Sequence, residues 1–412
     1  MSLLSEVPTG LSRPVRLDRG CPGLLPGLLR LVQEVDLEVE EGRHRPVDLL
    51  RQLGLDLGQP VYGPVALVVV RVLYHFEERL DGKFLLRTSG FVEHYQLLDA
   101  AGVAEKVRIA GAVAGLWSGT AAIVHPGRLV RGLAALVERM GARIVERTPV
   151  TDFRAAASES AGGSAGGMAS SAPAALITPR GEIRAPVVVL AGEAYLVRLA
   201  KLHRQLVPMY SLIVLTEPID DARWAEIGWA GREVVASARL SIDYLSRTAD
   251  GRILFGGRGA PYRLGSPIRD AYDRHDPTHE MLRGFVRTWF PMLRDVRFTH
   301  AWGGPLGMPR DWHPSFAFDP RSGIASARGY VGHGVSTANL AGRTLADLIT
   351  GTRSPLTELP LANHRSPNWE VEPFRWLGIR YVQGAMSRLD RGSEATGRPP
   401  TGRSLAERIA SH

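Results

Sequence analysis

Apolar residues recur at helical spacing in three stretches of the chain. Arg128 to Met140 sets Leu129, Leu133, Leu136, Val137 and Met140 on one face and stops at Gly141. Met281 to Phe290 turns Leu282, Phe285 and Phe290 inward, and a helix opened by Ser336 and Thr337 carries Ala341, Leu345, Leu348 and Ile349 on one side. Short apolar or alternating runs predict strands at Arg143–Glu146, Ala175–Thr178, Tyr210–Thr216, Val234–Ser246, Arg252–Gly256, Phe298–Trp302 and Ile324–Ala327. Turns fall at Pro179–Glu182, Ala249-Asp250-Gly251 and Ser322-Gly323. The run Ala185–Gly192, APVVVLAG, reads equally as a central parallel strand whose end meets a ligand and as a core strand with a tight turn. Residues 1–90 lack this regularity apart from a helical stretch at Leu28–Glu41 and the apolar run Val65–Val70, and Gly162–Pro173 is a low-complexity loop.

This alternation of helices and strands predicts a mixed α/β fold, and 412 residues suffice for two coupled cores. A net charge of +8 raises the question of nucleic acid, but the positive charge is nearly all Arg, with Lys only at 83, 106 and 201, and no basic run occurs. We therefore expect no nucleic-acid partner. Cys21 is the only cysteine, so neither an intrachain disulfide nor a cysteine metal cluster is expected. The uncharged run Ile109–Val124 is short of a membrane span, and Pro26 and Arg30 break the apolar segment near the N-terminus. The expected location is cytoplasmic, with no membrane partner and an oligomeric state that the sequence leaves open.

The stretch Gly329–Gly351, GYVGHGVSTANLAGRTLADLITG, sets a glycine-rich turn directly against a helix start. Glycines at 329, 332 and 334 allow close backbone approach, and a helix N-terminus with free amides suits negative charge or an electron-rich ring edge.

Taken together with other segments in order, this stretch resembles the FAD-dependent oxidoreductases of the D-amino-acid oxidase superfamily. That group includes glycine and sarcosine oxidases and γ-glutamylputrescine oxidoreductase. The segments are His125-Pro126 with its helix, Thr148-Pro149-Val150, VVVLAGEAY, AWGGPLGMPRDWHPSFAFD and GYVGHGVSTANLAG, over roughly residues 95–390. The resemblance implies a Rossmann-like FAD-binding domain assembled from discontinuous segments, 91–205 and 297–362, and a β-rich substrate domain at 206–296. An atypical segment at 1–90 and a C-terminal extension at 363–412, expected to pack loosely, complete the chain. It also implies FAD as cofactor, with Val150 contacting the adenine end through its backbone and Ala191, Gly192 and Glu193 where a second strand approaches the cofactor. Gly332, His333, Gly334, Val335 and Ser336 would face the flavin's pyrimidine edge.

One departure stands out. The family's strand and G-x-G-x-x-G turn are absent from residues 1–90, so the first βαβ unit is missing, rewritten or out of frame. The expected function is oxidation of a C–N bond in a small amine or amino acid. The alternative is an inactive or truncated member that does not retain FAD.

Several side chains are candidates for the substrate side. Arg258, in GGRGAPY, is the natural anchor for a carboxylate, with a structural ion pair the competing role. Tyr210 and Tyr262 are candidates to line the cavity, against a packing role. Trp302 is expected behind the flavin region, and His125 to shape the turn at Pro126. Asp311 and His313 flank Trp312 in a Pro-rich turn, which argues for turn chemistry and capping over an acid and base pair. No ligand spacing of the HxxxH or HExxH kind occurs, so no metal is expected.

Overall fold

The computed structural model describes residues 66–70, 95–119, 121–156 and 172–396. The expectations for Cys21, Leu28–Glu41 and most of the Gly162–Pro173 loop lie outside these residues.

Fourteen strands are described. They are β1 (Ala66–Val70), β2 (Tyr95–Asp99), β3 (Ala114–Ser118), β4 (Asp152–Arg154), β5 (Ala174–Thr178), β6 (Gly181–Ala185), β7 (Val188–Leu190), β8 (Val207–Thr216), β9 (Val234–Ser237), β10 (Asp243–Arg247), β11 (Ile253–Arg258), β12 (Phe298–Met308), β13 (Ser315–Asp319) and β14 (Ile324–Arg328). The helices are α1 (Ala100–Lys106), α2 (Pro126–Arg139), α3 (Asp221–Ile227), α4 (Asp276–Trp289), α5 (Gly334–Thr350) and α6 (Phe374–Thr396). The strands form an eight-stranded sheet in the order β12-β8-β11-β10-β9-β1-β3-β2 and two three-stranded sheets, β13-β14-β7 and β4-β5-β6.

The large sheet owes its two unlike faces to the period-two alternation of β8. Tyr210, Leu212, Val214 and Thr216 are buried, while Met209, Ser211, Ile213 and Leu215 are partly exposed. Helix α4 covers the buried face across β8 and β11, bringing in Leu282, Val286 and Trp289. Trp289 meets Phe255 edge-on at 5.1 Å, and Trp229 stacks on Phe290 at 6.2 Å. Each such side chain contributes about 1.5–3 kcal/mol on burial, which makes this layer the main core.

The second layer joins β7 in parallel with β14, and β14 antiparallel with β13. Over β13 and β14 lies α5, with Leu340, Ala341 and Leu345 buried and Leu348 and Ile349 packed beside them. The mixed α/β class is therefore as expected.

Several elements differ from expectation, each for a physical reason. Residues 234–246 form two strands, because Asp243 accepts hydrogen bonds from Ser237 N (2.9 Å) and Oγ (2.9 Å) and fixes a turn in which Ile242 has φ 44°. Strand β1, within the apolar run 65–70, pairs antiparallel with β3 and parallel with β9 in the large sheet. That sheet draws β1, β2, β3 and β12 from outside 206–296. Residues 143–146 form no strand: Ile144 and Val145 are 46% and 62% exposed, and no described strand pairs with them.

Residues 363–396, the described part of the C-terminal segment, are packed, not loose. Trp369 donates from Nε1 to Met308 O (2.8 Å) and from its backbone N to Arg204 O (2.7 Å). In α6, Asp390 accepts from Leu240 N (2.8 Å) and Ser241 Oγ (2.6 Å), while Arg239 pairs with Glu394.

Candidate functional site

Beyond the buried face of the large sheet lies its open one, and residues paired across antiparallel strands share it. Ser211 pairs with both Arg258 and Gly304, Ile213 with Gly256 and Trp302, and Gly256 with Tyr244. Arg258, Ser211, Tyr244 and Trp302 therefore stand on one side. The ring of Tyr244 lies flat on Gly256, where an added Cβ would come within 2.3 Å of Cζ. Glycine at that strand position is what makes room for the ring.

Arg258 ends β11 half-buried, with Nη2 donating to Val331 O at 2.9 Å and its guanidinium 5.3 Å from the Trp312 ring centroid. No acidic side chain pairs with it among the described residues. Burial pushes its pKa down to about 10, which leaves it charged at neutral pH. Burial also raises the Tyr244 hydroxyl, against a hydrogen bond from Ser211 and the nearby charge of Arg258.

The hydrogen bond to Val331 ties Arg258 to the glycine turn ahead of α5. There Val331 has φ 54° and Gly332 φ 103°, and a Cβ on Gly332 would meet Leu306 and Arg258 at 3.6 and 3.7 Å. The N-cap of α5 is His333, whose side chain makes no capping bond. The first-turn amides of Gly334, Val335 and Ser336 thus have no acceptor within the helix, and Gly332, Val335 and Ser336 are exposed. Burial, reinforced by Arg258, lowers the His333 pKa to about 4, so the imidazole is neutral at pH 7.

A third strut comes from the end of β7. Glu193, at φ 46°, accepts from Gly307 N (2.6 Å), Gly329 N (3.0 Å) and Tyr330 N (3.0 Å). One carboxylate therefore fastens the ends of β7 and β12 to the glycine turn. Ala191 and Gly192, just before it, are exposed.

Of the residues singled out from sequence, the structure groups Glu193, Arg258 and Gly332–Ser336 through these bonds. Val150 stands apart, exposed, at the head of β4. Tyr210 and Tyr262 do not reach the open face. Strand alternation turns Tyr210 into the core, edge-on to Tyr272 at 6.0 Å and hydrogen bonded to Arg269 N at 3.2 Å. Tyr262 is buried with its hydroxyl held by Ser266 Oγ (2.9 Å) and Glu372 Oε1 (2.8 Å). Both belong to packing. Trp302, expected behind the flavin region, is 37% exposed on the open face. His125 caps α2, Nδ1 accepting from Arg128 N at 3.3 Å. Sequence reading missed Ser211 and Tyr244, although the double glycine before Arg258 was a signal that a large side chain lies across that strand.

The donors present fit the electron-rich edge of a flavin. Free helix amides and a glycine turn without side-chain bulk lie beside Arg258, a guanidinium with no acidic partner among the described residues. Comparisons with known proteins bear on the family and the fold. The sequence profile described as FAD dependent oxidoreductase matches residues 24–348. A protein called probable oxidoreductase OrdL, from Rhizobium meliloti (strain 1021), is 32% identical over 234 residues, 57% of this chain and 48% of that protein. Gamma-glutamylputrescine oxidoreductase of Escherichia coli (strain K12) is 27% identical over 259 residues, covering 62% of this chain and 54% of its own. The chain thus spans about half the length of these curated relatives. Among solved structures, glycine oxidase from Geobacillus kaustophilus superposes with a TM-score of 0.62 at 20% identity, covering 85% of both chains, which shows a shared fold.

Proposed function

The chain belongs to the FAD-dependent oxidoreductase family, and from that premise we propose that it oxidises the C–N bond of an amine or amino acid carrying a carboxylate. The observation behind this reading is Arg258, a guanidinium on the open face with only a backbone carbonyl as hydrogen-bond acceptor and no acidic partner among the described residues. A substrate carboxylate would complete its coordination. FAD, when bound, supplies the acceptor for the hydride leaving the carbon next to nitrogen. The protein's part is positional. Arg258 would hold one end of the substrate, Trp302 and Ile213 would give it an apolar bed, and the amides of Gly334–Ser336 would hold the pyrimidine edge of the flavin. His333, neutral beside Arg258, adds no second charge to compete for the carboxylate. The gamma-glutamylputrescine relative supports an amine as the oxidised group.

The test compares a panel of N-alkyl amino acids with their decarboxylated counterparts. Losing a charge-assisted bidentate contact costs about 2–3 kcal/mol, so Arg258→Met should lower kcat/KM for the carboxylates roughly 30–150-fold and leave the amines unchanged. Equal losses on both sets would remove Arg258 from the substrate site.

A second reading, a chain that does not retain FAD, has two observations in its favour. Helix α2 buries none of its residues, and residues 143–146 form no strand. The visible spectrum of the purified protein with added FAD separates the two readings.

A further inference from the structure

A separate cluster of ligating side chains lies in the turn between β12 and β13. His364 Nε2 is 2.7 Å from Asp311 Oδ2, and the ring centroids of His313 and His364 are 5.5 Å apart. One ligand atom from each of Asp311, His313 and His364 can be chosen so that all three lie within 4.8 Å of one another. We propose that these three residues bind one divalent transition-metal ion of the zinc class.

The supporting contacts suit that role. His313 Nδ1 lies 2.8 Å from the Asp311 carbonyl oxygen, which can only accept, so the proton sits on Nδ1 and Nε2 keeps its lone pair. A histidine oriented by a backbone carbonyl in this way is a recurrent second-sphere feature of metal sites. Asp311 Oδ1 is fixed by His313 N at 3.2 Å, and no arginine or lysine neutralises the carboxylate among the described residues. Ser366 Oγ, two residues beyond His364, is buried and has no hydrogen-bond partner among the described residues. His364 is itself anchored, its carbonyl accepting from Ser315 Oγ at 2.6 Å.

Tetrahedral zinc with ligand bonds of about 2.0–2.1 Å needs its ligand atoms about 3.3–3.5 Å apart. That requires a small opening of the Asp311–His364 pair and a small closure of His313. His364 then offers Nε2 as a lone pair, its proton passing through solvent to Nδ1. Water completes the shell. The site lies outside the open sheet face but bears on it, because Trp312, at φ 62°, sits between two of the ligands with its ring against Arg258. A bound ion would fix the ring that shelters the guanidinium.

The experiment is calorimetric titration of the chelator-treated full chain with ZnCl2, repeated with CoCl2 under visible absorption. We expect one saturable zinc equivalent and cobalt d–d bands of a four-coordinate site. His313→Gln, His364→Gln and Asp311→Asn should each weaken binding by more than the roughly 10–100-fold that loss of an outer-sphere partner produces. His300→Gln, an exposed change on β12, should leave it unaltered. Zinc should also raise the Tm of the unsubstituted chain, a readout that does not depend on any variant folding. The proposal is overturned if the unsubstituted chain takes up no zinc, or if the double variant His313→Gln/His364→Gln binds it equally well.

Discussion

In α4, Leu282, Val286 and Trp289 are buried against β8 and β11, whereas in α2, patterned at the same helical spacing, Leu133 and Val137 stand 42% and 38% exposed. Helical periodicity specifies which face will be covered. It does not supply the cover. For α4 the partner strands follow from nearby sequence, closed by a hairpin at Gly251, while residues 141–150 beside α2 leave Ile144 and Val145 in solvent. The candidate site belongs to the completed half: its walls are the back of the α4-covered sheet and the start of α5.

The difference can be tested by perturbing each half in turn. Trp289→Ala removes a buried ring in contact with Phe255 and should cost about 3–5 kcal/mol in equilibrium denaturation. Glu193→Ala strips three backbone amides of their shared acceptor and should cost about 2–3 kcal/mol, with looser flavin uptake because the glycine turn loses its strut. The pH response should carry a smaller signature of His333. Unfolded, the imidazole titrates near 6.5; folded, burial and Arg258 push it to about 4. The unfolded chain therefore takes up the proton first, and stability falls as pH drops from about 6.5 towards 4. Thermal melts of His333→Asn should lack that component. At the bottom of the range, Leu133→Ala in α2 should change stability by no more than about 0.5 kcal/mol. A loss there comparable to Trp289→Ala would mean that the α2 face is covered after all.

Much of this was legible in the sequence, and what was not has identifiable causes. The α/β class, the hairpins at Gly251 and Gly323, and the α5 turn were readable because local periodicity and turn chemistry set them. Arg258 stood out for a guanidinium's bidentate chemistry, and the strand register puts it on the open face. Tyr210 was misjudged because a strand residue's face depends on register, and a single-residue shift reverses it. Tyr262 was misjudged because its partner Glu372 arrives from a segment 110 residues on. The same distance effect hid the cluster at Asp311, since His364 lies 53 residues further along the chain. Glu193 was placed near the cofactor by resemblance, but its role as a three-amide clamp needed coordinates.

The central proposal is that the α5 N-terminus receives the flavin beside the open sheet face that receives the substrate. It is tested most directly by titrating the purified chain with FAD and reading the shift of the visible flavin bands, alongside Gly334→Val. The account predicts saturable uptake that the substitution abolishes while the melting transition stays cooperative. Saturable uptake that Gly334→Val leaves unchanged would contradict it and move the flavin elsewhere.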